Sequence, residues 1–158
     1  MKKLFILCAL LSSAIAGYSQ ADTQKKEANK RRADWMSRPM KNPGVHDPVI
    51  ALGEDGRYYI FSTGMNVGVM SSADLEEWRF EAPALPETPA WAIDTVPGYR
   101  GHTWAPDISY HNGLWHLYYS CSTFGKNGSA IGLAVNKTLD PKSPDFKWED
   151  RGMVIASH

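Results

Sequence analysis

The 158-residue chain carries 17 basic and 17 acidic side chains, so its formal net charge is zero. The lack of a basic excess argues against a polyanionic partner such as a nucleic acid. Hydrophobic residues make up 43% and charged residues 22%, which indicates one globular domain rather than a disordered chain.

Residues 1–20 have the pattern of a secretory signal peptide. Lys2 and Lys3 form a positive start, residues 4–16 are almost wholly apolar, and Ala14-Ile15-Ala16 is a small-residue cleavage site. The apolar run is too short to span a bilayer. We therefore expect cleavage of this signal and a secreted or periplasmic protein with no membrane anchor.

Residues 21–44 are polar and charged, with no apolar periodicity. This composition predicts a tether, or a frayed helix, ahead of the globular part of the chain. The globular pattern starts at Val45, so we predict one domain over residues 45–158.

Two similar units follow each other in that domain. Each unit has an Asp, a short apolar strand, a Gly-containing turn, an aromatic strand, a further short strand and a Trp. In the first unit the Asp, the turn and the Trp are Asp47, Asp55-Gly56 and Trp78. In the second unit they are Asp107, Asn112-Gly113 and Trp148. Asp-Gly and Asn-Gly between alternating runs are strong hairpin signals. Antiparallel meanders that repeat in order are typical of β-propeller blades, and a sandwich would not repeat its motif in this way. No segment of this domain shows a convincing helical period of apolar residues, so we predict an all-β fold class.

Asp47 is the first candidate catalytic residue. Pro48 disfavours helical geometry at Asp47, so we expect an extended Asp47 at a rigid strand start that faces the propeller axis. A solvated carboxylate there is ionised and can activate water. On spacing alone, a plain turn or cap Asp is the commoner explanation of an Asp-Pro pair. Asp107, its counterpart in the second unit, could be catalytic, sugar-binding or structural.

No cofactor follows from the sequence. The five histidines are not at metal-ligand spacing, and no nucleotide-binding motif is present. The numerous aromatic residues, six Trp, seven Tyr and five Phe, suit an uncharged polar ligand such as a sugar, although core packing accounts for most rings of this kind.

Seven motifs carry a resemblance to a known family. They are HDP at 46–48, YYIFSTG at 58–64, SSADLEEW at 71–78, WAPDI at 104–108, LYYSCSTFG at 117–125, SAIGLAVNKTLD at 129–140 and KWEDRGMVI at 147–155. Because these motifs occur together and in this order, the chain resembles glycoside hydrolase family 43. STFG followed by SAIG favours the arabinanases of that family over its xylosidases.

The resemblance implies a five-bladed β-propeller, of which this chain covers about the first two blades. It implies inverting hydrolysis of α-1,5-linked arabinofuranosyl bonds in arabinan, a plant cell-wall polysaccharide, by a full-length monomer. Asp47 would be the general base, and the substrate-binding candidates are His46, Trp104, Asp107 and Phe124. The general acid and a pKa-tuning Asp are expected beyond residue 158, so the chain is expected to be an inactive fragment. A structural metal ion on the propeller axis is possible by resemblance, with ligands outside this chain.

Two alternatives stay open from the sequence. One is an α-L-arabinofuranosidase or β-xylosidase of the same family, because the loops that decide between internal and terminal cutting are largely missing. The other is a non-catalytic sugar-binding propeller, which only the downstream acid would exclude.

Overall fold

A computed structural model describes residues 20–157, so the predicted signal peptide lies almost wholly outside the described residues. The chain divides into two units between Arg38 and Pro39. In the first unit residues 20–36 are helical (α1), within the segment predicted as a tether. Their side chains are exposed except for the half-buried Met36, so α1 has no apolar face for a periodic pattern to reveal. In the described part, no helix combines the length and apolarity that a bilayer crossing requires.

The second unit is built from two antiparallel sheets. Its strands are β1 (Val49–Leu52), β2 (Tyr58–Ser62), β3 (Gly64–Met65), β4 (Gly68–Ser72), β5 (Trp78–Phe80), β6 (His102–His111), β7 (Leu114–Ser122), β8 (Ser129–Asn136) and β9 (Glu149–Ala156). One sheet has the order β1-β2-β4-β5 and the other β3-β6-β7-β8-β9. Each predicted unit therefore forms one four-stranded meander, and the short β3 of the first unit adds a fifth strand to the second sheet. The chain is mostly β, as predicted.

Both predicted hairpin turns are present. His111 pairs with Leu114 across β6 and β7, which leaves Asn112-Gly113 as a two-residue turn. Their φ angles are +51° and +78°, the left-handed pair that a type I′ turn requires. Between β1 and β2, Gly56 adopts a φ of +76°.

A hydrophobic core is shared by the two sheets. The alternation along β2 sends Tyr59 and Phe61 into this core, where they join Leu117 of β7. Phe61 meets Trp148 edge-on, with ring centroids 5.8 Å apart. The helix α2 (Ala90–Thr95), in the connection between the sheets, fully buries only Ala92. So short a helix carries no readable period, which is why the sequence did not predict it.

Glu54 joins the two sheets outside the core. Its carboxylate accepts hydrogen bonds from Trp115 Nε1 at 2.6 Å, Thr138 Oγ1 at 3.1 Å and the Leu139 amide at 3.1 Å. Burial raises the pKa of Glu54, but its own backbone amide and these three hydrogen bonds together outweigh burial, and the net shift is downward. Glu54 is thus an ionised acceptor that fixes one sheet against the other.

Candidate functional site

A cleft of about 950 Å³ opens where the first sheet meets the start of β6. Its lining includes polar and aromatic side chains that can do chemistry or bind sugar, among them His46, Asp47, Thr63, His102, Trp104 and Phe124. The sequence placed four of these residues, His46, Asp47, Trp104 and Phe124, at a sugar site, and the structure brings those four together.

Asp47 does not have the extended backbone expected from Pro48. Its φ is +49°, in the left-handed region, and it lies in a bend two residues before β1 begins. Aspartate tolerates this region better than most residues do, although such a backbone costs about 1–3 kcal/mol. Contacts from outside the bend hold it: the Thr63 amide donates to the His46 carbonyl at 3.0 Å, and the Thr63 hydroxyl reaches Asp47. The prediction of a rigid strand start was wrong because these contacts override the local effect of proline.

The Asp47 carboxylate is held through one oxygen. Oδ2 accepts hydrogen bonds from His46 Nδ1 at 2.7 Å and from Thr63 Oγ1 at 3.0 Å. The His46 bond, followed by the Thr63 bond, lowers the pKa of Asp47 below its usual value. The side chain is 44% exposed, so water reaches it. No partner for Oδ1 occurs within residues 20–157, and this oxygen of an ionised carboxylate can accept a proton from water.

Two aromatic rings flank the same cleft. Trp104 lies at the start of β6, where the pairing with β7 shifts register between Trp104 and Asp107. Its Nε1 donates to His102 Nδ1 at 3.0 Å, which fixes the orientation of the indole. Phe124, in the connection between β7 and β8, is 92% exposed. A ring so exposed has little role in the core of the described chain and is free to contact a ligand.

Residues 36–157 match the family model for glycosyl hydrolases family 43. The chain belongs to this family. The resemblance drawn from the motifs is therefore confirmed, and the match begins within the predicted tether.

Several proteins similar to this family 43 chain are named as arabinan-degrading enzymes. An extracellular exo-α-(1→5)-L-arabinofuranosidase of Cellvibrio japonicus is 52% identical over 74% of the chain and 33% of its own length. An extracellular endo-α-(1→5)-L-arabinanase of Bacillus subtilis is 37% identical over 73% of the chain and 36% of its own length. The chain thus spans about a third of the length of these curated relatives.

A solved relative supports the same assignment. The crystal structure of an exo-1,5-α-L-arabinanase from a bovine ruminal metagenomic library is 67% identical, with a TM-score of 0.71. The match covers 74% of this chain and 38% of that one. The fold described above is therefore similar to that of this solved enzyme over about three quarters of the chain.

Asp107, the remaining candidate from the sequence, lies elsewhere in this family 43 chain. It is exposed on β6 opposite Tyr118, and its Oδ1 accepts the Ile108 amide at 3.0 Å. It is not among the residues that line the cleft. The structure therefore does not bring Asp107 together with Asp47.

Thr63 and His102 are cleft residues that the sequence did not single out. Thr63 contacts Asp47 across 16 positions of the chain, a separation with no periodic signal. His102 stands two residues before the WAPD motif, and that proximity was the one available hint. Within the described residues, no group of three or more His, Cys, Asp or Glu side chains could hold a metal ion.

Proposed function

We propose that the chain is the N-terminal part of a secreted, inverting glycoside hydrolase that cleaves α-1,5-linked arabinofuranosyl bonds in arabinan. The observation that carries this proposal is the Asp47 carboxylate, which opens onto a cleft flanked by Trp104 and Phe124. The family and the arabinan-directed names of its relatives support the substrate. The extracellular location of those relatives supports secretion.

In this proposal Asp47 is the general base. Its Oδ1 takes a proton from a water molecule as that water attacks the anomeric carbon, while His46 and Thr63 hold Oδ2. Inverting hydrolysis also needs an acid carboxyl about 6.5–9.5 Å from the base, to protonate the leaving oxygen. Asp47 is the one carboxylate among the described residues that line the cleft. We therefore place the acid outside the described part, in what we call the parent enzyme.

The remaining cleft residues are proposed to bind the sugar. The Trp104 and Phe124 rings offer flat apolar faces to the C–H groups of arabinose. The His46 side chain is 81% exposed, so its second ring nitrogen is available to a sugar hydroxyl. Asp107 does not line the cleft and is not part of this proposed sugar site.

The parent enzyme is proposed to be a monomeric five-bladed β-propeller, with the two described meanders as its first two blades. Met153, Val154 and Ile155 on β9 are all at least half exposed. Consecutive exposed apolar residues on an edge strand need a neighbouring layer, because a propeller blade cannot bury its face alone. A third blade would supply that layer.

The test is hydrolysis by the purified parent enzyme of debranched arabinan, of arabinofuranoside side chains and of xylo-oligosaccharides. We expect arabinose or arabino-oligosaccharides, with the β-anomer formed first in a ¹H NMR time course. Faster release of xylose would instead establish the xylosidase alternative. Binding of arabinan without turnover would establish a sugar-binding propeller.

A further inference from the structure

Thr63 joins the candidate base to the second sheet. Its Oγ1 lies 3.0 Å from Asp47 Oδ2 and 2.9 Å from the backbone nitrogen of Ala105. Its own amide donates to the His46 carbonyl at 3.0 Å. One residue therefore holds the backbone of the His46-Asp47 bend, the carboxylate of Asp47 and the beginning of β6.

The direction of these hydrogen bonds is fixed by chemistry. A backbone N–H can only donate, so the Thr63 hydroxyl accepts from Ala105. An ionised carboxylate can only accept, so the single hydroxyl proton points to Asp47 Oδ2. Because His46 also donates to Oδ2, both protein bonds fall on one oxygen and Oδ1 is left for water.

The Ala105 amide is available because of an irregularity in β6. The register shift between Trp104 and Asp107 leaves Ala105 and Pro106 without partners on β7. Ala105 has a φ of +39°, and Pro106 has no N–H, so the freed Ala105 amide donates to Thr63 instead. Trp104 is the residue next to this irregularity, and its ring lines the cleft.

We propose that Thr63 is a positioning residue that turns Asp47 so that Oδ1 faces the attacking water and that links this carboxylate to the backbone presenting Trp104. The inference rests on the proposed function, since it assigns an orienting role around the proposed base. Thr63 itself touches neither the water nor the sugar in this role.

The variants are Thr63→Val, which removes the hydroxyl at nearly constant shape, and Thr63→Ser, which restores it. Thr138→Val is a matched control. The Thr138 hydroxyl also donates to a carboxylate, that of Glu54, and accepts a backbone amide, that of Asp140, but it lies outside the cleft. All three are made in the parent enzyme, and circular dichroism verifies that each is folded. Thr63→Ala replaces Thr63→Val if the valine variant does not fold.

With debranched arabinan as substrate, Thr63→Val is expected to lower kcat by about 10- to 100-fold with little change in KM, since misorientation of a reacting group acts on the chemical step. In the pH profile of kcat/KM for Thr63→Val, the acidic limb should move to higher pH, because the Thr63 hydroxyl no longer lowers the pKa of Asp47. Thr63→Ser should stay within about threefold of wild type, and Thr138→Val should change neither quantity. His46 and His102 also line the cleft and are common to all variants, so only the difference between profiles is used.

Equal kcat values and equal acidic limbs for wild type and Thr63→Val would overturn the inference while leaving the proposed function intact. An inactive wild-type enzyme would instead overturn the proposed function. In that case ¹³C NMR titration of the Asp47 carboxyl still decides whether Thr63 holds it. A higher Asp47 pKa in Thr63→Val than in wild type supports that contact, and an unchanged pKa overturns it.

Discussion

At the residue scale, the short contact between His46 and Asp47 controls the charge of the candidate base. The 2.7 Å hydrogen bond from His46 Nδ1 is the largest influence on the Asp47 pKa and lowers it. A base must be deprotonated to act, so a lowered pKa keeps it active at lower pH. The same shift adds stability that is present above the unfolded pKa of about 3.8 and is lost as the pH falls through the folded pKa.

We predict that His46→Ala in the parent enzyme raises the Asp47 pKa and moves the acidic limb of kcat/KM to higher pH. The reason is that the carboxylate loses a donor that stabilises its charged form. Rates on debranched arabinan across the acidic range measure the shift. His111→Ala removes an exposed histidine outside the cleft and serves as the control. If the acidic limb of kcat/KM for His46→Ala coincided with that of wild type, the contact with His46 would not control the pKa of Asp47.

The sequence predicted which residues lie together in the cleft, except for Asp107, better than it predicted their geometry. The HDP motif located His46 and Asp47, and WAPD located Trp104. The left-handed backbone of Asp47 was not predictable, because a local rule for residues before proline gives the opposite answer. The contacts that decide it come from Thr63, which is distant along the chain.

At the element scale, Gly132 on β8 allows a close approach of two aromatic rings. A Cβ added at Gly132 would lie 2.6 Å from Cζ2 of Trp91 and would also collide with the Tyr119 ring. Neither ring can easily move, because Trp91 Nε1 donates to Asp150 at 2.9 Å and the Tyr119 hydroxyl donates to Asp150 at 2.6 Å. This explains why glycine stands in the SAIG motif.

Gly132→Ala is accordingly expected to lower the free energy of unfolding of the parent enzyme by about 1–3 kcal/mol, the usual cost of overpacking. Urea denaturation followed by tryptophan fluorescence measures the change. Gly44→Ala is the comparison, because a Cβ at Gly44 would meet no atom within 4 Å. If the urea concentration at half-unfolding were the same for Gly132→Ala and Gly44→Ala, the rings of Trp91 and Tyr119 would have to move aside to accommodate the added methyl group.

The strands and their turns were predictable because their signals are local. Alternating residues and the Asn112-Gly113 pair define β6, β7 and the turn between them. The irregularity at Ala105 and the helix α2 were not predictable. The first depends on a hydrogen bond to Thr63, which lies in the bend between β2 and β3 and is distant along the chain, and the second is too short for a pattern.

At the scale of the whole molecule, the described residues supply a candidate base but no candidate acid in the cleft. Asp47 is the single carboxylate that lines it in residues 20–157. The relatives are about three times as long as the matched segment. We therefore predict that the 158-residue chain, expressed without further residues, does not hydrolyse debranched arabinan in a reducing-sugar assay. Turnover at the rate of the parent enzyme would show that an acid is recruited from within the chain, and Asp107 and Glu149 would be the first to substitute.

The role of Asp47 as the base is tested most directly by the rate of the Asp47→Asn parent enzyme with debranched arabinan. Asparagine keeps the shape of the side chain but cannot accept the proton from water, so kcat should fall by at least about 10²- to 10⁴-fold. The affinity for arabino-oligosaccharide, measured by calorimetry, should change little, because the cleft and its rings stay in place. A kcat within about threefold of wild type would contradict the assignment of Asp47 as the base.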